Sequence, residues 1–116
     1  MSTISLIGFG NIGSNVAIQL LTSGFKGCVK IYDRNIERVQ GKVIDLMNAS
    51  YILQNNKPAI EFIICQNIND AFKNTDVAII TAGSPRTIGM TRDDVLNINK
   101  EIIESFASCC KELLQN

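Results

Sequence analysis

The first turn of the chain constrains its fold more than any other stretch. A short apolar run at residues 4–7 is followed at once by three glycines in the spacing G-x-G-x-x-G, namely Gly8, Gly10 and Gly13. Apolar residues then recur at helical spacing, and one face of the predicted helix carries Ile12, Val16 and Leu20. A strand, a glycine turn and a helix in this order are the context in which the motif indicates a dinucleotide-binding fold.

Each glycine of the motif has a distinct steric role. Gly8 allows a tight turn out of the strand, Gly10 lets the backbone approach a pyrophosphate, and Gly13 lets the helix lie close on the strand. The free N–H groups and the positive dipole end of that helix form an anion site that needs no basic side chain. We therefore expect the pyrophosphate of a dinucleotide to bind at this helix N-terminus.

A carboxylate follows the next predicted strand. Residues 28–32 form that strand, and it ends at Asp33, which lies 20 residues after Gly13. A carboxylate at this strand end hydrogen-bonds the adenosine ribose and repels a 2′-phosphate, so Asp33 predicts NAD. Two alternatives stay open: Asp33 is only a turn residue, or the neighbouring Arg34 meets the 2′-phosphate of NADP.

Strand and helix patterns alternate along the rest of the chain. Helices are predicted at 36–53 and from Asp93 onwards, strands at 60–65 and 77–81, and a helical turn near Ala71. This alternation predicts an α/β fold of the Rossmann type, a doubly wound parallel sheet of about four strands in the order 3-2-1-4. The ligand crevice should open between strands 1 and 4, and the almost wholly apolar strand 4 should be buried on both faces.

Composition sets further limits. The 116 residues are 46% hydrophobic, and their 11 basic and 11 acidic side chains give no electrostatic case for binding nucleic acid or an anionic membrane. No apolar run approaches the ~20 residues of a membrane span and no targeting segment is recognised, so we expect a single cytoplasmic domain over residues 1–116. No histidine is present and no cysteine pair has C-x-x-C spacing, which favours reduced thiols over a zinc site for Cys28, Cys65, Cys109 and Cys110.

Three motifs together resemble those of a known family. They are the glycine turn at residues 8–13, G-K-x-x-D-L at residues 41–46, and T-A-G-x-P-R-x-x-G-M-x-R-x-D at residues 81–94. In these motifs the chain is similar to malate dehydrogenases of the lactate/malate dehydrogenase superfamily. The resemblance implies a Rossmann domain that binds NAD, in an oxidoreductase that interconverts malate and oxaloacetate by hydride transfer.

The resemblance also implies roles for single residues. The cofactor would be held by Gly8, Gly10, Asn11, Ile12, Gly13, Asp33, Thr81, Ala82, Gly83 and Asn99. Arg86 would pair bidentately with the second carboxylate of oxaloacetate, where lactate dehydrogenases have glutamine, and Arg92 would stabilise charge on the reacting carbonyl. Without the motif, both arginines would be solvated loop residues, and Asn99 a solvent-facing helix residue. For Lys42 and Asp45 we expect only a solvated helix face or local capping.

The chain also departs from the family pattern. The resemblance implies a catalytic histidine and a catalytic domain, whereas these 116 residues contain no histidine and would be truncated before the usual fifth and sixth strands. General acid–base assistance of ~10²–10⁴-fold is then missing, so we expect no activity from the chain alone and assign no catalytic residue. Three interpretations stay open: part of a malate dehydrogenase, a free-standing dinucleotide-binding regulatory module, and one chain of a split enzyme with a separate catalytic chain.

Strand 4 would also leave an apolar edge open. Such an edge is a template for pairing with another strand. We therefore expect a homodimer, formed by edge pairing or by burial of helix faces. A dinucleotide and a dicarboxylate substrate are the other expected partners, with no nucleic acid and no membrane.

Overall fold

The computed structural model describes residues 2–55, 57–81 and 88–114, with the backbone only at 109, 110 and 112–114. The elements in these ranges are β1 (Ser2–Ile7), α1 (Asn11–Thr22), β2 (Gly27–Tyr32), α2 (Ile36–Leu53), β3 (Ile60–Ile64), α3 (Ile68–Phe72), β4 (Val77–Ile80) and α4 (Arg92–Leu114). The predicted strands are confirmed, with small differences at their ends, and the helical turn expected near Ala71 is α3.

The strands form one parallel sheet in the order β3-β2-β1-β4, which confirms the predicted order and the α/β fold. β1 pairs with β2 on one side and with β4 on the other, so Ile7 lies beside both Tyr32 and Ile80. Parallel strands end at the same edge of a sheet. The register therefore brings together the residues that follow β1, β2 and β4.

Helices pack on both faces of this sheet, because successive strand residues point to opposite faces. The core beneath α1 and α2 contains Leu6, Phe9, Ala17, Leu21, Val29 and Val43. The core beneath α3 and α4 contains Ile7, Cys65, Phe72, Ile102 and Phe106. None of the helices in the described ranges is both long and apolar enough for a membrane crossing.

α1 lies on the sheet along Gly13, Ala17 and Leu21, which leaves Ile12 67% exposed. The predicted burial of β4 on both faces is wrong. Val77 is 51% exposed and the rest of β4 is only partly buried. β4 is at the edge of the described sheet, so its side chains have strand neighbours on one side only.

Candidate functional site

The carboxyl edge of the sheet carries the glycine turn. Gly8 follows β1 directly, is buried, and has a φ of 98°, a conformation that side chains rarely adopt. Its amide donates a hydrogen bond to the carbonyl oxygen of Tyr32 at 2.8 Å. The turn therefore starts as a continuation of the sheet and then bends sharply at Gly8.

Gly13 lies where α1 comes closest to this turn. A Cβ on Gly13 would lie 2.3 Å from the Gly8 carbonyl oxygen and 3.2 Å from Thr81 Oγ1. Both separations are shorter than an ordinary van der Waals contact, and the first involves backbone that cannot rotate away. Only glycine therefore allows α1 to approach the ends of β1 and β4 this closely.

The N-terminus of α1 has no side-chain cap. Gly10 is its N-cap residue, and a Cβ on Gly10 would meet no described atom within 4 Å. The other three helices receive a side-chain cap from Asn35, Asn67 and Thr91. Open space beside the first amides of a helix, at the positive end of its dipole, fits a phosphate group.

Asp33 connects the end of β2 to the glycine turn. Its Oδ2 accepts a hydrogen bond from the Phe9 amide at 2.8 Å, and its Oδ1 accepts one from the Asn35 amide at 3.0 Å. The Arg38 guanidinium lies 3.6 Å from Oδ2, with side-chain exposures of 51% for Arg38 and 14% for Asp33. Asp33 thus holds the turn together, and its Oδ1 also keeps a lone pair that a ribose hydroxyl can use.

Thr81 connects β4 to the same turn. Its amide donates to the Ile7 carbonyl oxygen at 2.9 Å, and its Oγ1 donates to the Gly8 carbonyl oxygen at 3.1 Å. Because β2 and β4 flank β1 on opposite sides, Asp33 and Thr81 support the turn from opposite sides.

The other residues predicted for the site are more scattered. Asn11 and Ile12 are exposed in the first turn of α1. Arg92 is exposed at the first position of α4, and Asn99, further along α4, is partly buried and makes a contact of its own. Three predicted residues lie outside the described ranges, namely Ala82, Gly83 and Arg86.

Sequence reasoning missed two basic residues of α2 that reach the turn. Arg38 lies against Asp33, and Lys42 Nζ donates to the Phe9 carbonyl oxygen at 3.3 Å. The sequence shows only that the two residues share a face, because an N-cap at Asn35 puts Arg38 in the first turn of α2 and Lys42 four residues later. It carries no signal that this face reaches the turn. Arg34, considered for a 2′-phosphate, is exposed.

Two cysteines pack in the core: Cys28 lies in β2, and Cys65 directly follows β3. Cys28 and Cys65 are buried and form no disulfide, as predicted for core thiols. Burial raises the pKa of both thiols above the ordinary value, and the charge of Lys30 partly opposes this. Both thiols are therefore protonated at neutral pH. In the described part of the chain, no three cysteine or carboxylate side chains gather as metal ligands would.

Comparison with known proteins identifies what this arrangement is similar to. The family model for the NAD binding domain of lactate/malate dehydrogenase matches residues 2–116. The malate dehydrogenase of Pelagibacter ubique is 38% identical over 116 residues, which are 100% of this chain and 35% of that protein. The malate dehydrogenase of a Hydrogenobaculum species is 32% identical over 98% of this chain and 37% of its own length.

Solved structures of malate dehydrogenases share the fold of this chain. The malate dehydrogenase of Cryptosporidium parvum is 37% identical with a TM-score of 0.75, over 93% of this chain and 33% of that one. The malate dehydrogenase of Picrophilus torridus is 28% identical with a TM-score of 0.81, over 97% of this chain and 35% of that one. The chain thus spans about a third of the length of these relatives.

Proposed function

The chain belongs to the lactate/malate dehydrogenase family as its NAD-binding domain, and from this premise we propose how it holds the cofactor. The pyrophosphate lies against the uncapped N-terminus of α1, near Gly10, Asn11 and Ile12. The adenosine ribose donates to Asp33. The end of β4, with Thr81, Ala82 and Gly83, borders the same crevice, and Asn99 contacts the cofactor from α4. The bound nicotinamide would supply the hydride acceptor or donor.

One observation carries this proposal, the shape of the turn from Gly8 to Gly13. The turn leaves open space where a Cβ of Gly10 would stand, and it has no room for one on Gly13. A chain that needed only a tight strand-to-helix connection would have no reason to leave the first amides of α1 without a side-chain cap. Space, donors and dipole together fit a phosphate pair.

The surroundings of Asp33 support NAD over NADP. A 2′-phosphate would have to lie beside a carboxylate that is only 14% exposed, and like charges at that distance repel. Arg38 is the basic group nearest to Asp33 among the described ion pairs, and the carboxylate already engages it. NADP would therefore require Arg38 to leave its partner.

For the complete reaction we propose interconversion of malate and oxaloacetate, which the names of the relatives support. Arg86 would pair with the second carboxylate and Arg92 would stabilise charge on the carbonyl oxygen. The 116 residues contain no histidine, so a proton carrier of that type has to come from other residues. A second candidate is a dinucleotide-binding module without hydride transfer.

We also propose that the protein is a cytoplasmic homodimer. Free buried thiols suit a reducing compartment. One face of α2 exposes large apolar side chains, with Ile44 at 58%, Tyr51 at 55% and Ile52 at 79% exposure. A contiguous apolar face of this kind fits burial against a second copy.

Calorimetric titration with NADH, NADPH and ADP-ribose tests the cofactor proposal. We expect NADH and ADP-ribose to bind with similar affinity, because the turn and Asp33 would hold the adenosine and pyrophosphate half. NADPH should bind more weakly. No heat of binding with any of the three would remove the proposal, and preference for NADPH would reverse the role of Asp33.

A further inference from the structure

Phe9, the residue between the first two glycines of the motif, is held at three points. Its ring is in the core with 0% exposure. Its amide donates to Asp33 Oδ2 at 2.8 Å, and its carbonyl oxygen accepts from Lys42 Nζ at 3.3 Å. The backbone of the turn is therefore fixed by two side chains from elsewhere in the chain, Asp33 directly after β2 and Lys42 on α2.

These contacts act on two successive peptide groups. The peptide between Gly8 and Phe9 is held at both ends, since Thr81 donates to its carbonyl oxygen and Asp33 accepts from its N–H. The peptide between Phe9 and Gly10 is held at its carbonyl end by Lys42. A trans peptide is planar, so its N–H points opposite to its C=O. The contact with Lys42 therefore also sets the direction of the Gly10 N–H, at the N-cap of α1.

Lys42 is well placed to hold this peptide. It extends from a part of α2 that is anchored by Val39 and Val43, with exposures of 0% and 3%. It also lines an open cavity of about 440 Å³ between α1 and α2, where water can reach the ammonium. Among the described residues no carboxylate lies within 4.0 Å of Lys42 Nζ, and the hydrogen bond found there is to the Phe9 carbonyl.

We propose that Lys42 is a positioning residue for dinucleotide binding, which acts by holding the Phe9–Gly10 peptide in the orientation that the pyrophosphate needs. This inference rests on the proposed function. Without Lys42, the peptide keeps no side-chain partner at its carbonyl, and the Gly10 N–H is free to turn away from the phosphate. Part of the binding free energy is then spent on ordering the turn.

The test compares Lys42→Met with Lys57→Met, a matched loss of one charge at an exposed position in the loop before β3. In calorimetry, Lys42→Met should bind both NADH and ADP-ribose about tenfold more weakly, the effect of one lost hydrogen bond from a charged donor. Lys57→Met should bind as the wild type does. Lys42→Arg keeps a charged donor and should retain most of the affinity. Urea unfolding of each variant verifies that the fold is intact.

Two further readouts separate positioning from charge. The loss in Lys42→Met should be similar at low and high salt, because a direct hydrogen bond is screened less than a distant charge. In NMR spectra without ligand, the Gly10 amide signal should shift or broaden in Lys42→Met, while that of Gly24, at the other end of α1, should not. A loss that disappears at high salt, or an unchanged Gly10 signal, would overturn the positioning role.

The two proposals fail in different ways. If the wild type binds NADH and Lys42→Met binds it equally well, Lys42 has no role and the cofactor assignment stands. If the wild type binds no dinucleotide, the cofactor assignment is wrong and the role of Lys42 is lost with it.

Discussion

Replacing Gly13 by alanine tests whether α1 truly lies against the turn. The new Cβ would stand 2.3 Å from the Gly8 carbonyl oxygen, and it would need at least 3.0 Å. The helix or the turn must then move by about 0.7 Å, the difference between these two distances. Helix motion would disturb Ala17 and Leu21, which are 0% and 2% exposed. Forced repacking of a filled core costs ~1–3 kcal/mol, more than the ~0.5–1 kcal/mol that alanine gains over glycine in a helix.

The measurement is urea unfolding followed by circular dichroism, with Gly41→Ala as the control. Gly41 is an exposed helical glycine in α2, and a Cβ there would meet no described atom within 4 Å. Gly41→Ala should therefore raise the free energy of unfolding by up to ~1 kcal/mol, while Gly13→Ala should lower it by ~1–2 kcal/mol. Gly13→Ala should also weaken NADH binding, because the N-terminus of α1 is displaced. A Gly13→Ala protein as stable as Gly41→Ala would show that the close approach is wrong.

Two other predictions concern pH and assembly. Burial raises the pKa of Cys28 and Cys65, so the unfolded chain loses these protons first, and the free energy of unfolding should fall as the pH rises above about 8.5 and through the higher native pKa values. Urea titrations at a series of pH values, with reductant present, measure this fall in the free energy of unfolding. The Cys28→Ala and Cys65→Ala variants should show a weaker dependence of that free energy on pH. A wild-type stability that rises with pH over this range would refute the prediction. The homodimer predicts a light-scattering mass of two chains at micromolar concentration, lowered by Ile44→Asp or Ile52→Asp. A wild-type mass of one chain would exclude it.

The sheet order could be predicted from the sequence because it depends on local signals. Apolar runs of strand length alternate with helical periodicity, and the chirality and order of such units are restricted to few arrangements. Burial of individual positions was less predictable. Ile12 has the right spacing for the buried face, but Gly13 decides which line of α1 touches the sheet, and only the packed structure reveals that contact. The partial exposure of Val77 depends on what lies beside and over β4, which no local pattern encodes.

The candidate site was predictable where a motif determines backbone shape. Glycine spacing and the acid after β2 indicated the turn and Asp33 directly. The contacts of Lys42 and Arg38 were not predicted, because a lysine on an otherwise polar helix face has the same local pattern whether it is solvated or bound to a carbonyl. Lys42 is 33 residues from Phe9 in the sequence, and only the packing of α2 against the turn brings them together.

Folding and recognition share contacts at this turn, which determines how variants must be interpreted. Asp33 accepts from the Phe9 amide and lies beside Arg38, so replacing it would loosen the turn as well as remove a ribose partner. A loss of affinity on replacing Asp33 therefore does not by itself identify a ribose contact. A ligand that binds only the native state stabilises it by about 2.7 kcal/mol at a concentration of 100 Kd. Measuring unfolding without ligand and at one fixed concentration of ADP-ribose would therefore separate the two effects. Loosening of the turn lowers the stability of the free protein, whereas loss of a ribose contact alone leaves that stability unchanged and reduces only the gain from the ligand.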